Sequence, residues 1–144
     1  MKIVVLYGEN GTGKSSFLNI LKESGKIILP KITTQNINKG KNHALSLVLE
    51  LKNSEQDLGF EDFDSFMTEA SIKYFLKEVV EKKNKTQTVY LETRTDLTIG
   101  LIGRLVEKGF FTTEDVYCLY FEPWQIPIKK TYDKEGFIIH ENTD

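Results

Sequence analysis

The chain has 144 residues, a formal net charge of −2, 40% hydrophobic residues, one cysteine and two histidines. That length suits a single domain over residues 1–144 with one core. The lone cysteine excludes an intrachain disulfide or thiolate metal cluster, the histidines make no convincing zinc set, no apolar run approaches the ~20 residues of a membrane span, and the weak acidic balance argues against a nucleic-acid surface.

Residues Lys2 to Tyr7 carry the apolar run Ile3-Val4-Val5-Leu6 and stop at Gly8, which predicts a buried strand of a mainly parallel sheet. This apolar start runs directly into a glycine-rich loop without a small-residue cleavage site, so it reads as a strand and not as a signal peptide. From Lys14 to about Glu23, Phe17, Leu18 and Leu21 recur on one helical side, with Gly25 as the stop. Ile27-Ile28-Leu29 reads as a short strand before Pro30. The polar stretch 30–44 reads as a long loop or excursion, and Leu45 to Leu51 fits neither period clearly.

Residues Asn53 to Phe60 read as turn-rich, followed by a long helix over about Glu61 to Lys83 with Phe63, Phe66, Met67, Ala70 and Tyr74 at helical steps. Thr88 to Leu91 is the next strand, closing on Glu92; a helix follows over Leu97 to Lys108, and Val116 to Phe121 is another strand. The tail from Ile126 to His140 suggests a hairpin about Asp133-Lys134-Glu135-Gly136. Strands and helices alternate, as they do in an α/β sandwich.

The loop Gly8-Glu9-Asn10-Gly11-Thr12-Gly13-Lys14-Ser15 matches G-x-x-x-x-G-K-S between a strand and a helix. Glycines let consecutive N–H groups face phosphate oxygens, which also meet the helix N-terminus. Lys14 is positioned to reach β- and γ-phosphates and Ser15 to place its hydroxyl on Mg²⁺. The phosphate-binding set therefore comprises Gly8, Glu9, Asn10, Gly11, Thr12, Gly13, Lys14 and Ser15, with the first-turn Ser16 at its edge. Glu92, at the carboxyl edge of a strand expected near the centre of the sheet, is the candidate second metal group. Arg94, two residues later, is the candidate for neutralising a transferring phosphoryl group. Asp96 is a weaker candidate that also suits a helix cap.

These residues give the sequence a resemblance to the guanylate-kinase-like group of P-loop kinases, especially members that phosphorylate ribose bisphosphate. A second piece of the resemblance is Ile32-Thr33-Thr34-Gln35 followed by Gly40-Lys41-Asn42-His43-Ala44-Leu45-Ser46. It covers roughly the first third of the chain. The resemblance implies a P-loop NTPase three-layer sandwich with a mainly parallel sheet, a small and truncated version of the nucleoside monophosphate kinase-like fold, with an acceptor-binding excursion at about 30–60. It also implies ATP as donor and Thr34 as a contact to a small phosphorylated acceptor; with Mg²⁺ at Ser15 and Glu92, the residues read above then make Lys14, Glu92 and Arg94 the catalytic candidates. Gln35 stands where the family has an arginine, and glutamine brings neither charge nor a bidentate fork.

Two other readings of the loop lack their second motif. No LSGGQ-like signature supports an ABC-type ATPase, and no N-K-x-D motif supports a GTPase, since Asn84-Lys85 is followed by Thr86-Gln87. The expectation is a cytoplasmic ATP-dependent phosphotransferase acting on a nucleotide or sugar phosphate. The alternative is a nucleotide-binding switch or partner-binding protein with degraded kinase chemistry, and a homo-oligomer or protein partner is compatible with either.

Overall fold

A computed structural model describes residues 1–30 and 40–140, with the side chains of 40–42 excepted. Five strands form one sheet in the order β2-β3-β1-β4-β5, where β1 is Lys2–Tyr7, β2 Leu58–Phe60, β3 Thr88–Thr93, β4 Val116–Tyr120 and β5 Ile128–Thr131. The pairs β1/β3, β1/β4 and β2/β3 are parallel, and β4/β5 is antiparallel. Four helices complete the described architecture: α1 Lys14–Glu23, α2 Gly40–Asn53, α3 Glu69–Glu81 and α4 Asp96–Glu107. The expected α/β class with a mainly parallel sheet is therefore observed.

Alternation along β1 divides the core between the two faces. Ile3 and Val5 join a large apolar cluster with Leu47, Val48 and Leu51 of α2, Ile72, Phe75 and Val79 of α3, and Ile99, Ile102 and Val106 of α4. Val4 and Leu6 point the other way and meet Leu18 of α1, Ile27 and Phe121.

The segment 45–51 is helical because Ala44, Leu47, Val48 and Leu51, all buried, repeat at helical spacing. Much of the expected excursion at 30–60 is thus part of the core: α2 packs beneath the sheet and β2 forms its edge. The expected strand at Ile27–Leu29 reduces to a single parallel bridge between Ile28 and Leu58.

The long helix expected over 61–83 is corrected to Glu69–Glu81. Asp62 adopts a positive φ of 47°, which breaks the helical path, and Thr68 caps α3 by accepting from the Ser71 N–H at 3.2 Å. Phe63 still belongs to the core, with its ring centroid 5.6 Å from that of Phe75. The segment 53–60 contains β2, which a turn-rich reading overlooked. Gly59 lets Leu29, Ile27 and Leu18 pack against the strand backbone, since a Cβ there would lie 2.6 Å from Leu29 Cδ2 and the side chain would have to shift.

In the tail, β5 pairs with β4, and Tyr132 and Ile138 bridge across the expected turn. Asp133 closes that turn by accepting from the N–H groups of Glu135 at 2.9 Å and Phe137 at 3.0 Å.

Candidate functional site

At the carboxyl edge of β1 the chain enters the glycine loop. Gly8 has no room for a side chain, because a Cβ there would lie 2.6 Å from the Phe121 carbonyl oxygen. Gly13 occupies the cap position of α1 with φ 101°, a conformation that favours glycine, and offers no side-chain acceptor to the first turn of the helix. The Thr12 hydroxyl donates to the Glu9 carbonyl at 2.7 Å, bracing the loop from within. The start of α1 thus presents first-turn N–H groups without a capping side chain, a setting suited to an anion.

The register of β1 against β3 places Leu6 opposite Glu92 and Tyr7 opposite Thr93. Glu92 therefore emerges at the same edge as the loop. The Ser15 hydroxyl donates to Glu92 Oε2 at 3.2 Å, and the Asp62 N–H donates to Glu92 Oε1 at 3.1 Å. Lys14 Nζ donates to the carbonyl of Gly8 and, at 3.3 Å, to that of Thr93. Lys14 and Glu92 are only 5% and 6% exposed. Lys14, Ser15, Ser16, Asn10, Gly11, Gly13 and Glu92 line one cavity of about 250 Å³.

Burial leaves both charges under tension. It lowers the Lys14 pKa, a shift opposed chiefly by the neighbouring Glu92 carboxylate. It raises the Glu92 pKa, opposed by the Lys14 ammonium and the Ser15 hydrogen bond. Each group is thus less comfortable charged than it would be in water. A ligand that brings an anion to Lys14 and a cation to Glu92 would favour both charged forms.

A second set of acids adjoins this cluster. Arg94 Nη2 donates to Asp62 Oδ2 at 3.4 Å and to Ser65 Oγ at 3.2 Å. Its Nε lies 3.4 Å from Asp62 Oδ1 without the alignment of a hydrogen bond, so that contact is electrostatic. Asp64 is buried, and its Oδ2 accepts from the hydroxyls of Thr93 at 2.5 Å and Thr98 at 2.6 Å. These bonds tie the segment after β2 to the end of β3 and to α4. Arg94 lines two further cavities of about 410 and 400 Å³, one beside Asp64 and Ser65, the other beside Gly8 and Tyr120.

The structure brings Lys14, Ser15 and Glu92 together and sets Arg94 beside them. Asp96 is not in this cluster: it lies in the first turn of α4, capped by Thr95, and a hydrogen bond from the Tyr7 phenol to its carboxylate raises the Tyr7 pKa. The acceptor candidates Thr34 and Gln35 lie outside the described residues. Asp62 and Asp64 were missed because Glu61-Asp62-Phe63-Asp64 read as the first turn of a helix. The three residues Leu58-Gly59-Phe60 just before them form β2, which sets these acids after the carboxyl end of a strand too short to show a period in the sequence.

Lys14, Ser15 and Glu92 supply hard donors of the kind magnesium takes alongside nucleotide phosphates: a hydroxyl and a carboxylate oxygen from separate elements, with an ammonium for the anion. Among the described residues no group of three or more His, Cys, Asp or Glu side chains is arranged to hold a metal ion without such help. Another cavity, of about 440 Å³, lies elsewhere, between α3 and α4. Leu76, Val80, Leu101 and Leu105 line it together with Lys73, Lys77, Arg104 and Lys108, and it has neither a hydroxyl nor a glycine loop. No helix of the described residues is long and apolar enough to cross a membrane.

Comparison with protein-family models, with curated protein sequences and with solved structures yields no significant match. A functional reading therefore rests on the residues themselves.

Proposed function

We propose that this protein is a small P-loop kinase that binds magnesium ATP at the glycine loop and transfers the γ-phosphoryl group to a nucleotide or sugar phosphate. The observation that carries the reading is the 3.2 Å hydrogen bond from Ser15 to Glu92, which joins the end of the loop to a carboxylate from a separate strand. The motif is defined by eight consecutive residues, whereas Glu92 lies 77 positions from Ser15, so their meeting is independent support.

In this reading the loop N–H groups and Lys14 hold the phosphates. Ser15 and Glu92 would hold magnesium, which when bound neutralises charge on the phosphates and helps orient them. Arg94, next to the same edge, would stabilise charge on the transferring group. A second reading, a nucleotide-binding switch with degraded kinase chemistry, is favoured by one observation. Arg94 is already engaged by Asp62, and Asp62 and Asp64 give its surroundings an acidic character unsuited to an anionic acceptor.

The test has two parts. Lys14→Ala is expected to lose most magnesium-ATP affinity in calorimetric titration while its denaturant melt stays cooperative; unchanged affinity would remove the phosphate site. A radiolabelled transfer panel of nucleoside monophosphates and ribose phosphates should then find one acceptor phosphorylated much faster than water, with Arg94→Ala slower by about 10²-fold. Tight ATP binding with only background hydrolysis would replace the kinase reading by the switch.

A further inference from the structure

The cavity of about 440 Å³ between α3 and α4 takes no part in the nucleotide reading. Each helix gives it four residues at the spacing i, i+3, i+4, i+7, so each turns one continuous stripe toward it. From α3 come Lys73, Leu76, Lys77 and Val80. From α4 and its cap come Leu101, Arg104, Leu105 and Lys108. Leu76 and Leu101 are buried, Val80 and Leu105 half-buried, and the four cations exposed. The chain leaves α4 through Gly109, at φ 82°, and the Phe110 N–H donates to the Leu105 carbonyl at 2.9 Å. This closure holds Phe110, 44% exposed, in the lining of the same groove.

Exposed lysines and arginines on helices are ordinary, and a run of them alone would mean only a solvated face. Here the cations alternate with apolar residues on both walls of a cavity. Four cations stand against one carboxylate, Glu81, in the lining. The whole chain carries a net charge of −2, so this positive charge is a local concentration. Lys73 lies 3.7 Å from Glu69, but both are more than half exposed and such a pair contributes little. Lys77, Arg104 and Lys108 form no ion pair among the described residues.

An alkyl chain with one anionic head would cover the apolar residues but engage few of the cations. A nucleic-acid strand would engage the cations but leave the aliphatic floor unused, since bases stack on aromatic faces. A helix with an apolar stripe and acidic flanks matches both features. Its stripe would enter between the leucine and valine side chains of the two walls, and its carboxylates would meet Lys73 and Lys77 on one side and Arg104 and Lys108 on the other. We propose that the groove between α3 and α4 docks an acidic amphipathic helix of a partner protein. Docking there is independent of the nucleotide site.

The probe is a synthetic, fluorescein-labelled peptide of about 18 residues, long enough to form a helix, with leucines at helical spacing and glutamates on both flanks. Fluorescence anisotropy should show binding to the full chain that weakens as salt is raised. Exchanging its glutamates for lysines should abolish binding, and exchanging its leucines for serines should weaken it by about tenfold. The double variant Lys77→Glu, Arg104→Glu should also bind about tenfold more weakly, whereas Lys77→Arg with Arg104→Lys should bind like the parent. All four changes are at exposed positions, and a denaturant melt checks that each variant folds. Equal binding of the lysine or serine peptide, or unchanged affinity in the charge-reversed variant, would overturn the docking site. So would no binding of the acidic peptide at millimolar protein. Displacement of the peptide by an equal concentration of dodecanoate or of a single-stranded oligonucleotide would give the groove to that ligand instead. A dimer of the unliganded parent that the charge-reversed variant loses in sedimentation would give it to a second copy of the chain.

Discussion

One face of the sheet is covered by three helices and the other, among the described residues, by α1 alone. Beneath α2, α3 and α4, Leu47, Phe75, Ile102 and their neighbours form a continuous apolar layer. Among the described residues of the α1 face only Val4, Leu6, Leu18, Ile27 and Phe121 are buried together, with Phe17, Leu21, Leu29, Tyr90, Tyr117 and Leu119 partly covered around them. Because buried apolar area supplies most of the favourable free energy of folding, stability is concentrated on the first face. The helix that presents the glycine loop belongs to the second. The candidate site thus stands on the lightly held side of a firmly held sheet, and it also buries Lys14 and Glu92 at a desolvation cost.

The largest effect expected from this contrast is at Phe75, which is fully buried against Phe60 and Phe63. Phe75→Ala should lose about 3–5 kcal/mol in a denaturant melt, and Leu18→Ala should fall near the lower end of the range for such truncations, about 2–3 kcal/mol. Hydrogen exchange sharpens the point: α1 amides should exchange at lower free energy than α3 amides, and magnesium ATP should protect α1 more. Equal losses at Phe75 and Leu18, with equal exchange in the two helices, would break the comparison.

A smaller effect is expected at Asp64, which fastens the acidic segment to the firm part of the molecule. Asp64→Ala leaves the Thr93 and Thr98 hydroxyls without that acceptor and should lose about 1–3 kcal/mol of stability. Displacement of Asp62 and Arg94 should lower phosphotransfer further. A variant with parent stability would show that Phe63 and the contacts of Asp62 with Glu92 and Arg94 hold the segment without Asp64.

The smallest effect is a dependence on pH. Since burial raises the Glu92 pKa above its ordinary 4.5, the native state binds that proton more tightly than the unfolded chain. Its contribution therefore lowers stability as pH rises through the window from 4.5 to the raised value. Magnesium-dependent ATP affinity should change the opposite way, rising with pH through that window as the carboxylate ionises. Glu92→Gln should flatten both trends; a pH profile identical to that of the parent would take Glu92 out of the metal site.

The firm face and the loop differed in how far sequence foretold them. The glycine loop was legible because its requirements are local: a strand, glycines at fixed steps, then Lys14 and Ser15 opening a helix. Glu92 could be named from the strand that it ends, and Arg94 from its distance along the chain. β2 was not legible, since three residues with a central glycine carry no period. The real start of α3 was hidden because Phe63, Phe66 and Met67 keep helical spacing although Asp62 and Thr68 interrupt the helix. Asp62 and Asp64 join the site through contacts with Arg94, Thr93 and Thr98, which are 29 to 34 positions away. No local pattern encodes such pairings.

The position of β1 within the sheet has a consequence for the nascent chain. Its two neighbours are β3 and β4, so Lys2 pairs with Thr88 and Ile3 with Val116. Synthesis at about 5–20 residues per second leaves the run Ile3-Val4-Val5-Leu6 without a strand partner for several seconds. Through that interval Lys14 and Ser15 already exist but Glu92 does not. On the proposed reading, the nucleotide site is complete only after β3 has emerged and paired.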